Sequence, residues 1–162
     1  MTLTDFLSTL ENSDLAVHIA ETWWFPLIES IHVVGIVMTV GAILMVDLRL
    51  LGVAAIRYPA SRISGELTRW TWGAFLLSLL TGFALFMTRA NHYFENTAFR
   101  YKILLLVVAG INMAIFQFGV ARRMNVWDSA SVPPIAAKIA AAISLLAWSA
   151  VMLAGRWIGH LS

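Results

Sequence analysis

Four uninterrupted apolar runs, Phe25 to Val46, Trp70 to Met87, Ile103 to Ala121 and Ile135 to Gly155, constrain this chain more than any other feature. Each approaches the roughly 20 residues that cross about 30 Å of hydrocarbon at 1.5 Å per residue. None alternates apolar and polar residues as a membrane β-strand does. The runs predict an all-α polytopic membrane protein, a four-transmembrane-helix bundle forming one membrane domain over residues 1–162. Composition agrees: 60% of the 162 residues are hydrophobic and 12% charged, against about 45–50% and about 25% in soluble domains. A water-soluble enzyme cannot cover itself with so little polar surface. Disorder would require low hydrophobicity and high net charge.

Charge placement predicts the topology. Arg49, Arg57, Arg62, Arg69, Arg122, Arg123 and Lys138 fall on one side of the spans, and Arg89, Arg100, Lys102 and Arg156 on the other. Seven basic residues against four put the first group in the cytoplasm and both termini on the periplasmic side of a bacterial inner membrane. Residues 1–22 carry Asp5, Glu11, Asp14 and Glu21 but no Lys or Arg, unlike the basic start of a cleavable signal peptide. Their apolar residues, Phe6, Leu7, Leu10, Leu15, Val17 and Ile19, predict short amphipathic helices at the outer interface. Trp23, Trp24 and Trp157 mark that interface, and Trp70, Trp72 and Trp127 the inner one. Asn96 is suited to start the third helix, and Ser131, just ahead of Pro133 and Pro134, to cap the fourth. The bilayer is the expected partner. The basic residues form no run interleaved with aromatics, so no nucleic-acid partner is expected.

Polar groups within the runs are costly in lipid and so point to function. With no Cys in the chain, disulfides, iron–sulfur clusters, thiolate zinc sites and covalently attached haem are excluded. At 100° per residue His32 shares a face with Glu29, Gly35, Ile36 and Thr39. As a functional residue His32 is an axial ligand to haem iron or a proton relay, with Glu29 holding its tautomer. As a structural residue it bonds Glu29 or Asn112 and fixes helix register. Gly35 admits either a bulky ligand or a neighbouring helix. His32 lies about 10 Å below the outer face and His92 about 7 Å beyond the second span, a mismatch of about 17 Å for a shared iron. Lys102 has a long stem that reaches His32's level more easily.

His18, His92 and His160 all fall on the outer side, near Glu21 or Glu95. They offer a copper or zinc site, or are three unrelated surface histidines, since their separation gives no ligand spacing. Asp47 and Arg49, two apart, do not face each other on a helix, so Asp47 is expected to pair with Arg69 or Arg122. Ser78, Thr81, Asn112 and Gln117 can form interhelical hydrogen bonds, and Gly73, Gly82 and Gly110 allow close helix packing.

At WWFPLIESIHVVGIVMTVGAILMVDLRLLG and FENTAFRYKILLLVVAGINMAIF the sequence resembles a family of uncharacterised bacterial four-helix inner-membrane proteins. The shared elements are Pro26, His32, the Asp47 to Gly52 run, Trp72, Thr81 with Gly82, and Phe99 through Lys102. More remotely, a His in the first span, Thr-Gly in the second and aromatic-Arg-x-Lys entering the third resemble the membrane domain of copper-resistance protein D. A similar His and Lys arrangement in the haem-binding membrane protoporphyrinogen oxidases implies His32 and Lys102 as haem b ligands. The chain departs from both patterns in its acidic N-terminus and its lack of a methionine or histidine copper motif.

The leading expectation is a haem b-binding membrane protein with an electron-transfer or redox-sensing role, His32 as axial ligand, and Glu29, Gly35, Lys102 and His92 as further pocket residues. A quinol, another membrane redox partner or a second copy of the chain are the partners such a protein would meet. Two alternatives stand beside it: copper handling by His18, His92 and His160, and a structural or assembly subunit. Whether the chain is itself an oxidoreductase is left open by the sequence.

Overall fold

In a computed structural model the described residues, 2–124, 128 and 133–160, form helices joined by short turns and loops. Two short helices lead, α1 (Leu3–Glu11) and α2 (Asp14–Glu21). The spans follow as α3 (Trp24–Leu51) and α4 (Ala60–Met87), then a short α5 (Ala90–Glu95), α6 (Thr97–Phe118), a 3-10 turn (Val120–Arg123) and α7 (Ile135–Trp157). Four of these helices are long and apolar enough to cross a membrane.

The spans outrun the apolar stretches because polar residues at their ends are helical too. The second helix begins ten residues before Trp70, and the third begins at Thr97 rather than Ile103. Asn96 starts the third as expected, its Oδ1 accepting the Phe99 amide at 3.2 Å. The fourth follows Pro134, while Ser131 and Trp127 lie outside the described residues. Pro26 is tolerated because it falls in the first turn of α3, where amide hydrogens have no intrahelical acceptor. α3 stops at Gly52, whose φ of 78° lets the Val53 amide return to the Leu48 carbonyl at 3.0 Å.

The amphipathic start is two capped helices. Thr2 and Asp5 form a capping box on α1, and Ser13 caps α2. Leu7, Ala16 and Ile19 are buried, so this segment packs onto the bundle rather than lying free. Glu11 Oε2 accepts from the Asn91 amide at 3.1 Å and from Asn91 Nδ2 at 2.9 Å, fastening α1 to α5.

α3 is central, packing against α4 and α7, and α7 in turn carries α6. A cavity of about 210 Å³ lies between Trp72 and Phe75 of α4 and Leu106, Gly110 and Met113 of α6. Outward-facing Val33, Val37, Leu80, Leu104, Ile115 and Leu146 are exposed, as side chains solvated by lipid should be. We call the end bearing α1, α2 and α5 the capped end, and the end bearing residues 52–59 and the 3-10 turn the loop end. At the loop end Leu50, Ala60, Met124, Ala137 and Ala141 form a small core. There Asp128 accepts the Ala60 amide at 2.7 Å, the Ser61 amide at 3.0 Å and the Ser61 hydroxyl, supplying the α4 cap that Pro59 cannot.

Candidate functional site

His32 sits between α3 and α4 toward the capped end, half-buried, with Nδ1 3.0 Å from Thr81 Oγ1. The Thr81 hydroxyl places its single hydrogen on the Leu77 carbonyl at 2.7 Å. With that hydrogen on a carbonyl, the Thr81 oxygen is placed to accept from the ring, an arrangement that suits the imidazole tautomer with its hydrogen on Nδ1 and its lone pair on Nε2. The Ser78 carbonyl is a further acceptor beside the ring. The ring lies against Gly82, where a Cβ would stand 2.8 Å from Cε1 and 3.6 Å from Nε2. Thr81 and Gly82 thus act together, one orienting the imidazole and the other making room for it.

Neither structural partner expected for His32 holds this position. Glu29 is exposed and no hydrogen bond joins it to His32 among the described residues; its charge acts instead on Tyr93 of α5. Burial pushes the Tyr93 phenol up; the Arg89 charge opposes that and Glu29 adds to it. Asn112 donates to the Ala140 carbonyl of α7 at 3.0 Å. Helical spacing put Glu29 and His32 on one face, but α4 supplied a nearer acceptor. Gly35 admits a helix rather than a ligand, since a Cβ there would fall 2.6 Å from Ser78 Oγ and 3.3 Å from the Ala74 carbonyl oxygen.

Lys102, in the first two turns of α6, is half-buried with its aliphatic stem against Gly155 of α7. Its ammonium is close enough to interact electrostatically with His32. It makes no ion pair or hydrogen bond among the described residues. His92 is exposed on α5, and its ring meets Tyr93 edge-on at 5.9 Å. His18 and His160 are exposed as well. No three His, Asp or Glu side chains gather in a metal-holding group among the described residues.

Asp47 is 5% exposed, with its Oδ2 lacking any hydrogen-bond partner. The expected ion pair with Arg69 or Arg122 is absent, the one ion pair among the described residues being Arg62–Glu66 at 3.1 Å. Arg49 has turned away, its Nε donating to the Tyr58 carbonyl at 2.7 Å. Two features here are not legible in the sequence, the role of Asp128 and the polar surroundings of Asp47. Asp128 was not singled out because its partners lie 67 and 68 residues away. The polar surroundings of Asp47 escaped notice because Ser64, Thr68, Thr71 and Ser144 read singly as ordinary helix residues.

A bundle of four spans with two amphipathic helices against one end, holding an oriented imidazole between its first two spans, is a polytopic α-helical membrane protein with a buried histidine site. The chain belongs to the family of unknown function DUF6644, which it matches over residues 18–161, from within α2 through all four spans. No curated protein and no solved structure matches it, so the likenesses to copper-resistance protein D and to protoporphyrinogen oxidase have no named relative behind them.

Proposed function

We propose that this is a haem b-binding integral protein of a bacterial inner membrane, with an electron-transfer or redox-sensing role, in which His32 Nε2 is an axial ligand. One observation carries the reading. Thr81, with its own hydrogen spent on Leu77, accepts from Nδ1 and leaves Nε2 as the nitrogen with a lone pair. A metal-bound imidazole needs the same arrangement, its second nitrogen hydrogen-bonded so that ring and tautomer are fixed. Lys102, whose charge reaches His32, is the candidate for a second ligand, a role that would require its uncharged amine form.

Bound haem would supply one-electron chemistry. The chain's own residues would hold the imidazole, with Thr81 orienting it and Gly82 setting its depth, while the apolar spans keep water away. Membrane quinol is the electron partner such a site would meet. The basic loop end faces the cytoplasm in this reading, which puts His32 in the periplasmic half of the bundle.

The test is the visible spectrum of protein purified from haem-replete cells. A Soret band is expected, lost in His32→Ala, with haem retention about 10–100-fold weaker in Thr81→Val and preserved in Thr81→Ser. A colourless wild type, or a band unchanged in His32→Ala, sinks the proposal.

A second reading is favoured by the interlock of α3 and α4, with Gly35 under Ser78 and Gly82 under His32. Here the pair serves as a helix clasp in an assembly subunit. His32→Gln would then lower stability while leaving cellular function intact.

A further inference from the structure

The cavity around Asp47 lies toward the loop end, away from the His32 clasp, and its lining is rich in polar oxygen atoms. Asp47, Thr68, Thr71, Asn112, Gln117 and Ser144 supply its polar wall. The Thr68 hydroxyl donates to the Ser64 carbonyl at 2.5 Å and the Thr71 hydroxyl to the Leu67 carbonyl at 2.8 Å. One hydrogen of the Asn112 amide goes to the Ala140 carbonyl at 3.0 Å, and the Ser144 hydroxyl interacts with the Asp47 side chain. The two threonine hydroxyls, their hydrogens spent, offer oxygen lone pairs, as do the Asn112 and Gln117 amide oxygens, and Asp47 Oδ2 has no hydrogen-bond partner among the described residues. An unpaired carboxylate inside a membrane span is costly and is compensated by a proton or by a bound cation, and the oxygen-rich lining favours the cation. Among the described residues no cationic side chain pairs with Asp47: Arg49 donates its Nε to the Tyr58 carbonyl and acts on Asp128.

We propose that this cavity is a Na⁺ site, with Asp47 as the charged ligand and hydroxyl and amide oxygens of Thr71, Asn112 and Ser144 completing the shell. Hard oxygen donors suit an alkali or alkaline-earth cation. One carboxylate balances one positive charge, so a divalent ion would leave net charge in the hydrocarbon. The volume, about 70 Å³, exceeds the ~10–15 Å³ that one water needs and falls well below the ~300 Å³ of a small organic-ligand pocket. A way in is also visible. Ser64, Thr68 and Thr71 recur at about one per turn on α4, forming a polar track from the loop end to Asp47.

Thermal unfolding of the full chain in detergent tests the site, comparing NaCl with choline chloride at equal ionic strength. Na⁺ at about ten times its dissociation constant should raise the melting temperature of the wild type by about 3–6 °C, and Asp47→Asn should abolish the rise. Should Asp47→Asn fail to fold, Ser144→Ala and Thr71→Val keep the carboxylate and should each need several-fold more Na⁺ for the same rise. Equal melting in NaCl and choline chloride, an equal rise with KCl, or an undiminished Na⁺ response in these variants overturns the proposal. Since none of these readings involves a chromophore, they stand or fall separately from haem binding.

Discussion

The imidazole of His32 lies so close to Gly82 that a Cβ there would stand 2.8 Å from the ring's Cε1. The missing side chain on α4 is therefore the space in which the α3 side chain sits. Between two spans in lipid, where apolar burial gives little net attraction, such close fits and hydrogen bonds hold helices together.

Gly82→Ala should accordingly push the ring off Thr81 or force the helices apart. The expected cost is about 1–3 kcal/mol, the usual penalty for overpacking. Gly73→Ala on the same helix meets open space and should be neutral or stabilising by up to ~1 kcal/mol through helix propensity. Thermal melts of both variants in one detergent check the contrast. Similar effects at the two positions would mean that the ring contact contributes nothing.

Asn96 ties the start of the third span to the end of the fourth. Its Oδ1 caps α6, and its Nδ2 donates to the Ile158 carbonyl at 3.1 Å. Asn96→Ala removes both bonds from a buried position, so a loss of about 1–2 kcal/mol is expected. Asn96→Asp keeps the capping acceptor alone and should fall between them in a denaturant titration.

Asp128 predicts a pH dependence. Burial acts to raise its carboxyl, but the Ser61 hydroxyl, the Ser61 and Ala60 amides and the Arg49 charge outweigh that and hold it below the ordinary 3.8. A carboxyl depressed in the folded state contributes stability that is full above the unfolded value. That contribution disappears as pH falls through the depressed one. Wild type should exceed Asp128→Ala by about 1 kcal/mol at neutral pH, as expected of a helix cap. The gap should close as pH drops below 3.8. A gap that stays constant into acid would show that the carboxylate's charge is not what caps α4.

Glu11 should decide whether α1 stays docked. With both bonds to Asn91 removed in Glu11→Ala, amide hydrogen exchange in residues 3–11 should speed up while the four spans keep their protection.

Much of the architecture was legible residue by residue. Run length gave four spans, the apolar residues of the N-terminal segment gave short amphipathic helices, and Asn96 marked a helix start. Each follows from local physics: the transfer cost of a polar group, the 3.6-residue period and the satisfaction of free amides at a helix end. The site was legible only in part. His32, Thr81, Gly82 and Lys102 stood out in the sequence, yet their arrangement did not, because helical spacing ranks neighbours on the same helix and cannot rank those on the next.

The sequence alone therefore determined the membrane class, the number of spans and the scarcity of ionisable groups within them. Tertiary structure decided which atoms those groups meet. His32 turned to Thr81 rather than Glu29, Asp128 reached across 68 residues to cap α4, and Asp47 kept an Oδ2 without a hydrogen-bond partner among the described residues. The physical reason is range. Hydrophobicity and capping act within a turn or two of the chain, while partner choice depends on which small residues let two helices approach, and that exists only once the helices have packed.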